Sequence, residues 1–298
     1  MDSAVAAAPA RRMTAAQLLA LAGPDLGDLT GWWPGESPFE VAVGAFLVQA
    51  VAWRNARQAI EGLRSAGLLE AQALATATHA KVAEAIRPAL FNRQKARYLL
   101  TFASFVRNSL AGDIARLRSL PLPDQERVLL ELPGVGPETA AAIMVYALGE
   151  AAPVVDAYAL RVLRRIGAIG SAELRSEARA CMAGAIDGDA AVARLLHATI
   201  VELARRHCRV EPLCAGCPCR ELCPKILGHP AQGRGDRGDG NAGRAAAGRE
   251  GGNAGANRAP PAQGGGRAGA RFVGQGTPSG LGQSQRARER PGRRDRGA

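Results

Sequence analysis

Between Thr14 and Arg206 the chain reads as one helical segment after another, and the alternating pattern of a half-buried strand is nearly absent. Thr14 and Gln17 stand in capping-box spacing before a helix predicted to end at Gly23. Ser37, Pro38 and Glu40 open an apolar run whose length fits a buried helix. Further helices are predicted over Asn55–Ala66, Leu69–Ala75, Ala80–Ile86, Arg93–Leu110, Asp124–Leu132, Pro137–Leu148, Ala157–Ile166, Ala172–Ala185 and Ala190–Arg206. The fold class that follows is all-α, without an internal repeat of fixed period.

A hydrophobic content of 47% over 298 residues can fill a substantial core, but it is unevenly spread. From His229 onward the chain holds thirteen Arg, five acids and no Lys, so +8 of the net +11 lies there. That stretch is mostly Gly, Ala, Arg, Pro, Asn and Gln, which cannot bury enough surface to offset the entropy of ordering, and a disordered basic tail is expected. Such a tail suits an anionic polymer such as nucleic acid, or serves only as a solubilising arm. No apolar run is long enough to span a membrane, and the first dozen residues do not make a secretory signal, so a cytoplasmic protein is expected.

Four local features carry chemistry. Gly134-Val135-Gly136 lies between two predicted helices with Pro137 opening the second; its glycines permit positive φ and its amides point outward as an anion site, or the turn is a plain packed corner. Asp156 precedes the helix from Ala157, where it can cap the helix and hold an oriented carboxylate at once. Trp32, Trp33 and Trp53 stand out among only twelve aromatics of the Phe, Trp and Tyr type, either as core or as stacking surfaces. Cys208-x5-Cys214-x2-Cys217-x5-Cys223 offers four thiolates for a [4Fe–4S] cluster or for zinc, and the spacing does not separate the two. Cys219 is an extra thiol within that loop, and Cys181 lies on an apolar helix pattern as a core residue.

"LPGVGPETA" with "VVDAYALRVLRR", in which Asp156 follows Glu138 by eighteen residues, resembles the helix-hairpin-helix and Gly/Pro-Asp signature of the endonuclease III superfamily of DNA glycosylases. "WWP", "SPFE" and "GPETA" are similar to the branch that includes 3-methyladenine DNA glycosylases. The resemblance runs from about Thr14 to Cys223 and implies a two-lobed fold. A helical barrel with the hairpin would span 37–149, while 13–36 and 150–228 would form the terminal lobe with an iron–sulfur loop, between a flexible N-terminus at 1–12 and the tail at 229–298.

The resemblance further implies that the amides of Gly134, Val135 and Gly136 hold a DNA phosphate, that Gln49 enters the gap left by a flipped base, and that Lys95 reaches the backbone. Asp156 would be the catalytic acid beside C1′. Trp32 or Trp33, with Pro34, and Trp53 would sandwich the base, with Glu138 at the pocket. The cysteine loop would carry [4Fe–4S], with zinc as the alternative. Bifunctional members have a lysine where Glu138 stands, and a carboxylate cannot form an imine. A monofunctional, monomeric glycosylase acting on double-stranded DNA with a damaged base is therefore expected, alkylated purine first. Oxidised pyrimidine or mismatched thymine as substrate, or a non-catalytic damage binder, are the alternatives. The sequence departs from the pattern at Ala50-Val51, where the branch has Asn-Thr, near Leu90 and Arg93, and in the first cysteine gap, which is one residue short.

Overall fold

A computed structural model describes residues 12–170 and 174–225. The chain divides into two units, Met1–Gly243 and Arg244–Ala298, and every described residue belongs to the first. The tail predicted to be disordered and the N-terminal 1–11 lie outside the described residues. Within them the fold is helical and no strand occurs.

Eleven α-helices follow in order among the described residues: α1 (Ala15–Leu26), α2 (Pro38–Leu47), α3 (Trp53–Ser65), α4 (Ala71–Thr76), α5 (His79–Ala85), α6 (Asn92–Ser109), α7 (Leu122–Leu130), α8 (Pro137–Ala142), α9 (Ala157–Arg165), α10 (Leu174–Ile186) and α11 (Ala190–Arg206). Their starts are fixed by side chains that accept the otherwise orphaned amides of the first turn. Thr14 and Gln17 close a reciprocal capping box, Ser37 accepts from Glu40 N at 3.2 Å, and Asp189 accepts from Ala191 N at 2.7 Å. The first helix does not stop at Gly23, as predicted. It runs through Gly23 and Pro24 to Leu26, since Ala22 and Leu26 remain buried, and the reversal falls to Gly27 at φ 84°.

Helix α2 is buried on all sides from Phe39 to Leu47, as a continuous apolar run demands. Phe46 and Phe39 stack against Phe102 of α6, and each such ring withdrawn from water contributes about 1.5–3 kcal/mol. Around α2 pack α3, α6 and α8, with α4 and α5 laid on α6. Helices α1, α9 and α10 pack on α11. One apolar core runs through both groups.

The helix predicted over Pro137–Leu148 is interrupted. After Ala142 the backbone widens into a π-helical turn, Ile143–Ala147, closed by Leu148 N donating to Ile143 O at 3.0 Å. This turn touches both α2 and α11 and delivers Tyr146 to the space between them. Single π turns of this kind recur where a side chain must be redirected.

Candidate active site

The glycine turn joins α7 to α8. Gly134 sits at φ +83°, and a Cβ placed there would overlap the ring of Tyr98, so both conformation and space require glycine. Gly136 differs from the expectation: its φ is −99°, nothing lies near an added Cβ, and it serves as the N-cap position of α8. Of the three amides assigned to a phosphate, that of Val135 is spent, donating to Leu132 O at 3.1 Å inside the turn. The amides of Gly134 and Gly136 donate to nothing among the described residues. Gly134→Ala is expected to cost about 2 kcal/mol or more, from strain at positive φ and the clash with Tyr98. A thermal midpoint equal to the parent's would contradict this.

Gln49 ties this turn to the end of α2, its amide donating to Gly134 O and Thr139 Oγ1, both at 2.9 Å. Lys95 corrects an expectation. It is 3% exposed and its ammonium donates at 2.8 Å to Leu47 O and Gln49 O, capping the C-terminal carbonyls of α2. Burial pushes its pKa down to about 8, and it does not reach a phosphate. Ala50 beside it takes a left-handed φ of 57°, where Asn is far more at ease than Ala.

Asp156 caps α9, Oδ1 accepting from Ala159 N at 2.7 Å, and is 8% exposed. Its other oxygen lies 3.5 Å from Nε2 of His197 on α11. Glu138, in the first turn of α8, is exposed and near enough to Asp156 to feel its charge. Its pKa is raised, first by partial burial and then by the negative charge of Asp156, with Arg175 and His197 working against the rise.

The tryptophans gather beside this acid, each half-buried. Trp33 stacks on Tyr146 with centroids 4.8 Å apart and meets Trp53 edge to face at 6.0 Å. Trp32 packs edge-on against His197, and its indole N–H donates to Glu202 Oε1 at 3.1 Å. The rings come together as expected, but they touch one another, so the anticipated sandwich of Trp32 or Trp33 with Trp53 is not an open slot. Pro34 is exposed beside them.

Cys208, Cys214, Cys217 and Cys223 line one cavity with His207 and Arg165, and all are free thiols. Cys219 does not line it; it is buried and hydrogen-bonded to Cys217, which lowers the pKa of Cys217 and, together with burial, raises its own. Burial also pushes Cys208 and Cys223 up. Among the described residues no three His, Cys, Asp or Glu side chains converge on a point that would hold a single metal ion. Two arginines of α9 brace the loop: Arg161 donates to Cys208 O at 2.9 Å, and Arg165 donates to Arg209 O and to Val210 O. Cys181 packs half-buried against the core.

Three features were not legible from motifs. Tyr146 and His197, hydrogen-bonded at 2.7 Å, are 51 residues apart in sequence. Phe91 is 66% exposed with a left-handed φ of 60°, and its carbonyl accepts from the backbone amide of Lys95 at the start of α6. An aromatic in a conformation that strains it was the one signal available, and the sequence "ALFN" hides it.

Residues 43–184 match the family described as HhH-GPD superfamily base excision DNA repair protein. MJ1434 of Methanocaldococcus jannaschii, whose name is that of a DNA repair glycosylase, is 34% identical over 197 residues, which is 64% of this chain and 88% of that protein. The thymine-DNA glycosylase of Aeropyrum pernix is 28% identical over 197 residues, covering 64% of this chain and 84% of its own. Among solved structures, the H. pylori 3-methyladenine DNA glycosylase MagIII bound to 1,N6-ethenoadenine shares the fold at TM-score 0.58 and 24% identity, over 65% of this chain and 98% of that one. A non-covalent endonuclease III–DNA complex does so at TM-score 0.58 and 20% identity, over 71% and 96%. The chain belongs to the HhH-GPD superfamily of base excision DNA repair proteins.

Proposed function

We propose that the protein is a monofunctional DNA glycosylase that removes a damaged base from duplex DNA by hydrolysis, with alkylated purine as the leading substrate. The observation that carries this reading is Asp156, a buried carboxylate held by the Ala159 amide and 3.5 Å from His197, which packs against Trp32, with Glu138 and no lysine at the neighbouring α8 position. As the C1′–N bond lengthens, positive charge grows on the sugar, and a fixed carboxylate stabilises it. Water adds to C1′, the bonding electron pair leaves with the base, and the proton released by water passes to Asp156. An alkylated purine is already cationic and departs neutral without further protonation; the same cation favours contact with indole faces. For a base to enter, Trp33 has to part from Tyr146 or Trp53, an induced rearrangement.

The free amides of Gly134 and Gly136 would hold a phosphate of the bound strand, and Gln49 and the exposed Phe91 would face the gap from which the base has left. The surfaces of 13–36 with 150–228 and of 37–149 would flank the duplex as two lobes. Cys208, Cys214, Cys217 and Cys223 would hold a [4Fe–4S] cluster that orders the loop. The four cysteines line one cavity, and the likeness of their loop to that of endonuclease III supports [4Fe–4S] over zinc.

Duplexes bearing an N-methylated purine, an oxidised pyrimidine or a mismatched thymine test the reading directly. Release of the methylated purine by the parent, and not by Asp156→Asn, is expected. Binding of all duplexes with no release by either protein would replace it with a damage binder. A second reading, mismatched thymine, is favoured by the likeness to a thymine-DNA glycosylase. Because Glu138 offers no amine, borohydride is expected to trap no covalent complex with abasic DNA; efficient trapping would end the monofunctional assignment.

A further inference from the structure

None of the steps above uses His197. It is 4% exposed on α11, its Nδ1 lies 2.7 Å from the Tyr146 hydroxyl, and its Nε2 points at Asp156 Oδ2 across 3.5 Å with no hydrogen-bond partner. The ring is clamped edge-on by Trp32 at 5.8 Å and tilted against Tyr146 at 5.7 Å, so it has little freedom to turn.

We propose that Tyr146 and His197 form a positioning relay, in which the tyrosine hydroxyl donates to Nδ1 and His197 presents Nε2–H to Asp156 and fixes its carboxylate toward the sugar. This rests on the reading of Asp156 as the acid at C1′. A neutral imidazole has one donor and one acceptor nitrogen. Were the proton on Nδ1, the Nε2 lone pair would face the lone pairs of Asp156 Oδ2. With the proton on Nε2 the same contact is attractive, and Tyr146 must then donate. Burial, with the charge of Asp156, keeps Tyr146 a protonated phenol and therefore a donor.

The neighbouring charges fit that assignment. Glu138 from α8 and Asp156 from the α9 cap are the acids that act on His197; Arg175 of α10 faces Glu138 and Arg194 of α11 faces Tyr146. Asp156 Oδ1 is engaged by Ala159 N, so Oδ2 is the oxygen free to take the proton of the attacking water on its second lone pair. His197 keeps its own proton throughout.

Nitrogen-15 NMR of the histidines in the full chain reads the relay without substrate. An Nε2–H tautomer at His197 is expected, as is a change in the Nε2 chemical shift when its partner is altered in Asp156→Asn. An Nδ1–H tautomer, or an Nε2 shift that ignores Asp156→Asn, overturns the proposal. In single-turnover base release, Tyr146→Phe and His197→Gln are expected to slow the step about 10-fold and His197→Leu about 100-fold. The acid limb of the pH–rate profile should move, while affinity for a duplex carrying an abasic-site analogue changes less than about twofold. Parent-like rates and pH profiles in Tyr146→Phe and His197→Leu overturn the relay and leave the glycosylase reading intact. A parent that releases no base defeats that reading, and the tautomer and the Nε2 chemical shift then still decide whether His197 holds Asp156.

Discussion

Asp156→Asn is expected to lower the single-turnover rate of base release on the order of 10²–10³-fold while leaving duplex binding and the melting temperature close to those of the parent. The separation between these effects follows from the two jobs of this side chain. As a cap, Asp156 accepts from Ala159 N at 2.7 Å, and asparagine caps a helix nearly as well, so α9 stays formed. As an electrostatic group it cannot be replaced by an amide, which neither balances an oxocarbenium-like charge nor takes a proton from water. The substitution also removes the negative charge that helps hold the Glu138 pKa up, so that carboxyl should titrate lower in the variant. A residual rate above about a tenth of the parent's would show that the cap is the only role of Asp156.

The second large effect concerns the loop from Cys208 to Cys223. Purified protein is expected to be brown and to carry four irons per chain, and Cys214→Ser is expected to lose both the colour and the iron. Little else can order this loop. Val210, Leu213 and Leu222 are exposed, and its polar ties run mainly to Arg161 and Arg165 of α9. In the serine variant, amides of the loop should therefore exchange with solvent far faster, while α2 and α6, with their stacked phenylalanines, keep their protection. Colourless protein with one zinc per chain would overturn the cluster assignment. Iron retained at full stoichiometry by Cys214→Ser would instead place Cys219 among the ligands.

The elements legible in the sequence are those whose causes are local. The caps at Thr14, Ser37 and Asp156 use side chains three residues from the amides they accept, and each shows in the structure. The all-round burial of α2 follows from an unbroken apolar run. What stayed hidden depends on partners far along the chain. Lys95 looks like a surface cation until the carbonyls of Leu47 and Gln49 are placed over it. Tyr146 and His197 are ordinary residues of helical segments until the π turn and α11 bring them together. The three tryptophans were visible as a group, but whether rings stand apart or touch is decided by packing, which no motif encodes.

The π turn also bears on how this protein can change over time. It holds one more residue than a regular helical turn between the glycine hairpin and Gly149. Removing a single residue there would let the segment relax into ordinary helix and change the face on which Tyr146 stands. Tyr146 would leave His197, and the approach to Asp156 would shift with it. A deletion elsewhere on the surface disturbs a loop; in this turn it would disconnect the hairpin from the acid. The interval from Gly134 to Asp156 is thus constrained in length, and residues 140–145 within it are buried in the core.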